Sequence, residues 1–187
     1  GRLTFNADYY YKKTKNMLMN VSLPAGAAAA TSIARNEGEM VNKGFELSIS
    51  SKNLRGGAFT WDTDFNISFN RNKLTKLELQ KVYYDAKTAD VVNDYEPGRA
   101  LGGFYGYISD GVDPETGELM YRDLNNDGKI SSSDRTYIGD PNPDFTYGMT
   151  NTFSWKGFNL SIFIQGSYGN DIYNASRLET EGMYDGK

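Results

Sequence analysis

Ala58-Phe59-Thr60-Trp61-Asp62-Thr63-Asp64-Phe65-Asn66-Ile67-Ser68-Phe69-Asn70 is the stretch on which the fold turns. Side chains along a strand point alternately to opposite sides. One side therefore carries Phe59, Trp61, Phe65, Ile67 and Phe69, and the other Thr60, Asp62, Asp64, Asn66, Ser68 and Asn70. A strand in a soluble sheet is typically about 5–6 residues long. A strand that crosses a bilayer at a tilt needs about 9–11. Lipid on one side and water on the other is the pattern of a transmembrane β-barrel wall.

Four more stretches alternate in the same way. Residues 2–12 set Leu3, Phe5, Ala7, Tyr9 and Tyr11 against polar neighbours. Residues 43–53 do so with Phe45, Leu47 and Ile49, and residues 144–156 with Phe145, Tyr147, Met149, Phe153 and Trp155. In 158–167 the apolar side is Phe158, Leu160, Ile162 and Ile164, and Phe163 interrupts the polar side. None of the 5 prolines falls inside these runs, as ladder hydrogen bonding requires. The connections sort by length. Leu54-Arg55-Gly56-Gly57 and Lys156-Gly157 are tight turns, while residues 13–42, 71–143 and everything after Gly169 are long. Barrels of the outer membrane alternate short periplasmic turns with long extracellular loops, and this order obeys that rule throughout. It predicts that the tight turns face the periplasm and that 71–143 is a long extracellular segment. A structureless loop of that length is uncommon, so short strands are expected near 103–108 and 118–121, one of which would extend the wall. The alanine-rich patch at 24–30 reads as a flexible loop.

Composition narrows the function. The chain of 187 residues has no histidine and no cysteine, which removes the commonest general base, the commonest transition-metal ligand and all thiol chemistry. A net charge of −4 argues against nucleic acid, which needs a basic stripe. Mean hydropathy is −0.61, and no apolar run nears the roughly 20 residues of a membrane helix. Barrel strands stay polar on average, because only alternate residues meet lipid. Aromatic residues make up 14% of the chain, a load that suits interfacial girdles. The start at Gly1-Arg2 and the end at Asp185-Gly186-Lys187 read as a piece of a longer protein.

The sharpest motif is Asp123-Leu124-Asn125-Asn126-Asp127-Gly128-Lys129-Ile130-Ser131-Ser132-Ser133-Asp134. Its oxygens fall at the spacing of a twelve-residue calcium loop. Asp123, Asn125 and Asp127 stand at positions 1, 3 and 5, the Lys129 carbonyl at 7, Ser131 at 9 and Asp134 at 12. Gly128 at position 6 supplies the bend, and Ile130 is expected to tuck into a local core. Asp134 replaces the usual glutamate, and the flanks read as extended rather than helical. A calcium site and a plain run of Asx-turns both fit this spacing.

Five segments in order resemble the SusC/RagA family of TonB-dependent outer-membrane transporters. They are Asn42-Lys43-Gly44-Phe45-Glu46-Leu47, Phe65-Asn66-Ile67-Ser68-Phe69-Asn70-Arg71-Asn72-Lys73-Leu74, the 123–134 loop, Ile138-Gly139-Asp140-Pro141-Asn142-Pro143-Asp144-Phe145-Thr146-Tyr147-Gly148, and Gln165-Gly166-Ser167-Tyr168-Gly169-Asn170-Asp171-Ile172-Tyr173-Asn174. The resemblance implies an all-β fold, a segment of a large antiparallel transmembrane β-barrel of roughly 22 strands. All of 1–187 would belong to one barrel domain from its later part, without the plug. It further implies active import of glycans, or of peptides in some members, with energy relayed by TonB through regions absent here. A SusD-like surface lipoprotein would form a lid, and the wall would contact outer-membrane lipid.

In that arrangement Phe59, Trp61, Phe65, Leu160, Ile162 and Ile164 face lipid. Asp62, Asp64, Asn66, Glu46 and Ser48 line the lumen. Tyr83, Tyr84, Tyr95, Phe104, Tyr105 and Tyr107 either stack on sugars or pack the outer segment. The competing expectation is a secreted, calcium-stabilised β-rich carbohydrate-binding or adhesion module. Catalysis is not expected. Asp62 and Asp64 lie about 7 Å apart along one strand face, but alternation alone produces that spacing.

Overall fold

A computed structural model describes residues 1–22, 32–36, 38–77, 83–84 and 93–180. In chain order the strands are β1 (Leu3–Thr14), β2 (Leu18–Ser22), β3 (Ser32–Asn36), β4 (Glu39–Leu54), β5 (Phe59–Lys76), β6 (Tyr83–Tyr84), β7 (Asn93–Asp94), β8 (Phe104–Gly106), β9 (Ser109–Val112), β10 (Leu119–Tyr121), β11 (Thr136–Gly139), β12 (Phe145–Trp155) and β13 (Phe158–Tyr168). A 3-10 turn spans Ser132–Asp134, and a short helix α1 spans Ser176–Thr180.

The five predicted strands form one antiparallel sheet in the order β1-β4-β5-β12-β13. β4 and β5 are longer than the alternation indicated, at 16 and 18 residues. Their extra length pairs Met40 with Leu74, Val41 with Lys73 and Asn42 with Asn72. Backbone pairing continues there although the division into lipid and water sides has ended. At the opposite end the chain turns tightly. Lys156 and Gly157 take φ of 45° and 89°, and positive φ is what a two-residue hairpin turn demands.

No other described strand packs on either face of this sheet. Among the described residues, Leu74 is the one fully buried hydrophobe. A secreted module would need a second layer over Phe59 and Phe65, and the described residues supply none. The strands near 103–108 and 118–121 exist as β8 and β10, but neither extends the wall. β8 joins a small sheet in the order β11-β8-β7-β6, and β10 pairs with β9. These strands have 3 residues each, too few to cross a bilayer. The β2–β3 hairpin was not predicted, because its five-residue strands carry little alternation. The patch at 24–30 lies outside the described residues.

Candidate functional site

The outer face of the wall is apolar in rows. Phe5, Ile49, Phe65, Met149 and Ile164 stand in register across all five strands. Toward the loop end, Tyr9, Phe45 and Phe69 align, and ring contacts carry the row on from Phe69 to Phe145 at 5.7 Å and from Phe145 to Tyr168 at 5.3 Å. Toward the turn end, Phe153 lies 6.2 Å from Phe59 and 5.9 Å from Trp61. From Phe59 to Phe69 a strand advances about 33 Å. At a tilt of about 40° that is a height of about 25 Å, the thickness of a barrel's apolar band. The two aromatic rows stand where two interfacial girdles belong.

One polar cluster interrupts this face. Asn151 Oδ1 accepts from the Trp61 indole at 2.9 Å and from the Thr63 hydroxyl at 2.7 Å. Asn53 donates to Thr63 at 2.7 Å, and Ser51 donates to Asn53 at 2.8 Å. Hydrocarbon offers no partners, so the groups bond to one another. Thr63 and Asn151 are the gaps in otherwise apolar phases of their strands, and that break in rhythm is the sequence signal that marks them.

The inner face pairs its polar groups sideways. Arg55 meets Asp62 at 2.6 Å, Ser50 donates to Asp64 at 2.6 Å, and Ser68 donates to Glu46 at 3.4 Å. Tyr10 donates to Asn70 at 2.9 Å, its ring lying over Gly44, where a Cβ would come within 2.5 Å of the Phe69 carbonyl. Asp62 and Asp64 are thus wall pairs rather than an acid–base couple. Asn66 and Ser48 lie on this face with no hydrogen-bonded side-chain partner among the described residues.

Polar links tie the small sheet at the loop end to the wall. Arg71 donates to the carbonyls of Pro143 and Asp144 at 3.1 and 3.0 Å and to the Asp144 carboxylate at 2.6 Å. Asn72 donates to Asn142 at 2.9 Å and accepts the Leu101 amide at 2.7 Å, while Asn142 donates to the Leu101 carbonyl at 2.9 Å. Of the rings proposed for sugar stacking, Tyr105 stands edge-on to Tyr137 at 5.4 Å. Tyr107 lies 5.5 Å from Tyr121, with Arg135 over its ring at 4.9 Å, and Phe104 lies 6.0 Å from Tyr173. These three rings pack the segment together. Tyr95 is half-buried, and the side chains of Tyr83 and Tyr84 lie outside the described set.

In the 123–134 loop the acidic residues gather backbone amides. Asp123 accepts the Asn126 and Gly128 amides, each at 2.7 Å. Asn125 accepts the Asp127 amide at 2.9 Å, and Asp127 accepts the Lys129 amide at 2.8 Å. Gly128 bends at φ 79°. Asp134 is fully buried and closes the loop from within, accepting the Ser131 amide at 2.7 Å and the Leu124 amide at 2.9 Å. The Ser131 amide, opposed by desolvation and aided by the Leu124 amide, holds the Asp134 carboxyl below its ordinary value of 3.8. Ile130 does not anchor the loop and is 46% exposed, because the Asp134 carboxylate and its amides occupy the interior. Among the described residues, no three carboxylates converge closely enough to hold a metal by themselves. A cation here would rely on Asn125, the Lys129 carbonyl and Ser131 as well as Asp123, Asp127 and Asp134.

A one-layer antiparallel sheet with an apolar band between aromatic rows and a laterally paired polar face defines the wall of a transmembrane β-barrel. The family model described as TonB dependent receptor-like, beta-barrel, matches residues 1–176, and the chain belongs to that family. TonB-dependent receptor P3 of Formosa agariphila is 37% identical over 96% of this chain and 20% of that protein. TonB-dependent receptor SusC of Bacteroides thetaiotaomicron is 31% identical over 98% of this chain and 20% of that protein. A solved structure of the RagAB peptide transporter superposes with a TM-score of 0.81 at 27% identity, covering 96% of this chain and 20% of that one. The SusC/RagA resemblance is thereby borne out. The chain spans about a fifth of the length of these relatives, and it is outer-membrane barrel wall.

Proposed function

We propose that the full-length protein imports nutrients across the outer membrane, and that oligosaccharide is its cargo. The observation that carries the reading is the wall itself: lipid-matched on one face, polar and wet on the other, and one layer thick. In this reading the tight turns face the periplasm, residues 71–143 face outside, a SusD-like lipoprotein caps the mouth, and TonB drives the cycle through parts of the protein outside this chain. Kinship with SusC supports it. Likeness to the RagAB peptide transporter supports peptide as the second reading. The test is deletion of the gene followed by growth on single carbon sources. Lost growth on an oligosaccharide, with growth on its monosaccharide intact, is the expected result. Lost growth on peptides alone selects the second reading.

Calcium binding by Asp123, Asn125, Asp127, Lys129, Ser131 and Asp134 is part of the same proposal, supported by donor spacing and the bend at Gly128. The ion would supply charge neutralisation and stiffening to a loop that amide bonds already close. Limited proteolysis with and without chelator tests it. Faster cleavage within 123–134 under chelation is expected, and unchanged cleavage overturns the calcium reading.

A further inference from the structure

Charge on the outer face of the wall is confined to one height. From the turn end up to the loop-end aromatic row, no outward position of the five strands carries a charge. Just past that row the same face turns basic. Tyr11, Lys43 and Arg71 stand in one register row, and Lys13, Val41 and Lys73 in the next row of the same phase. Two residues of strand at a tilt of about 40° put the first of these rows about 5 Å beyond the aromatic girdle, at the depth of lipid headgroups. Two of the cations are already engaged: Arg71 holds Asp144 at 2.6 Å, and Lys13 holds Glu39 at 2.5 Å. Lys43 and Lys73 are exposed and have no ion pair among the described residues. As diagonal neighbours on paired strands they stand about 7–8 Å apart, a gap that two long side chains can close around one anion. β4 and β5 each have both neighbours within this sheet, and their outward face looks away from the lumen. The remainder of a barrel extends sideways from β1 and β13 and leaves this surface to the membrane.

The chemistry selects the partner. Two ammonium groups without counter-charges fit a phosphate, which takes charge-assisted hydrogen bonds from both. Tyr11, beside Lys43 and 62% exposed, offers a ring to the apolar C–H face of a sugar. The apolar band directly beneath them accepts acyl chains. A phosphorylated glycolipid combines all three. We infer that Tyr11, Lys43 and Lys73 form a docking site for the phosphorylated glycolipid of the outer leaflet, with its phosphate between the two lysines and a sugar of its headgroup on Tyr11. The inference rests on the orientation proposed above, in which the loop end faces outside.

The test uses the full-length protein purified in nonionic detergent with its partner present. It is titrated with diphosphoryl lipid A, and bound lipid is counted by native mass spectrometry. Lys43→Gln together with Lys73→Gln is expected to weaken binding about thirtyfold, about fivefold per lysine, at an unchanged unfolding temperature. Lys43→Arg together with Lys73→Arg should bind as the wild type does, and Tyr11→Ala should weaken binding severalfold. Lys12→Gln removes a charge one residue away in the inward phase of β1 and should change nothing. A loss from Lys12→Gln as large as that from either outward lysine overturns the site, since net charge alone would then govern binding. Equal binding of lipid A stripped of its phosphates, or of phosphatidylglycerol, overturns the ligand. Orientation is read separately, by protease added to intact cells, where cleavage within 123–134 is expected. Cleavage only after the cells are opened refutes the orientation, and the outer-leaflet site falls with it. Cleavage on intact cells, with wild-type lipid binding in the double glutamine variant, overturns the site alone.

Discussion

The wall and the segment at its loop end are held by different means. The wall has continuous hydrogen-bond ladders and almost no interior; its large side chains, such as Leu3, Phe158 and Leu160, are more than half exposed. Its core is the membrane. Beyond the lipid band β5 carries the fully buried Leu74, and the loop-end segment contains the fully buried Asp134, yet that segment's strands are short and its order comes from side chains bonded to backbone: Asn72 of β5 and Asn142 to Leu101, Asp134 to Leu124 and Ser131. An exposed apolar surface therefore reports the solvent in one region, while buried polar groups carry the structure in the other. The wall should fail when its two faces are exchanged, and the segment when an acceptor is removed.

The largest expected effect is Ile162→Arg. It puts a cation near mid-bilayer, at a cost of about 2–4 kcal/mol, and the full-length protein should be nearly absent from the cell surface. Ser161→Arg, one residue away on the inner face, should stay within about 0.5 kcal/mol of wild type. Equal surface levels for the two variants would erase the distinction between faces. Asn151→Leu is a sharper test. It makes the lipid face more apolar, yet leaves the Trp61 N–H and the Thr63 hydroxyl without their acceptor. The expected loss is about 1–3 kcal/mol, read as a lowered unfolding temperature in detergent. A gain in stability would show that the cluster is incidental.

The two regions also differ in how far they could be read from sequence. All five wall strands were legible, β1, β12 and β13 to within a few residues, because lipid and water force a period of two over long runs. The departures at Thr63 and Asn151 were visible as breaks, but their meeting is a product of the β5–β12 register, which pairs Thr63 with Asn151. The ends of β4 and β5 were missed because pairing there continues without a lipid face. In the loop-end segment two of the short strands, β8 and β10, were locatable, but β6, β7 and β9 were not, and neither were the partners. Tyr105 facing Tyr137 and Asn72 bonding Asn142 are contacts between residues distant in the chain, and no local rhythm encodes them. The 123–134 motif correctly placed a bend at Gly128. Spacing alone did not reveal that Asp134 faces inward to amides and displaces Ile130 outward.

Asp134→Asn removes the charge from the acceptor that closes the loop and should leave the wall untouched. Cleavage within 123–134 by a protease added outside should rise severalfold, while the unfolding temperature of the barrel holds. A lowered barrel temperature would mean that the segment and the wall form one cooperative unit.

The smallest effect expected is that of acid. The Asp134 carboxyl is held below its ordinary value of 3.8 by the Ser131 and Leu124 amides, so the folded loop binds its proton less readily than the unfolded chain does. Its stabilisation is therefore full above the unfolded value and is lost as pH falls through the lower folded value. Amide hydrogen exchange in the loop, corrected for the intrinsic pH dependence of exchange, should stay flat from pH 6 to about 4 and climb only beneath that. Asp110 is also held low, chiefly by its hydrogen bond from Arg122, so what it contributes is likewise lost only below its ordinary value; but that pair is exposed, and exposed pairs contribute little. Asp134→Asn separates the two, because it should abolish most of the climb if Asp134 is the group responsible. A climb that begins at pH 5 or 6 would assign closure of the loop to a different group and remove Asp134 from the centre of this account.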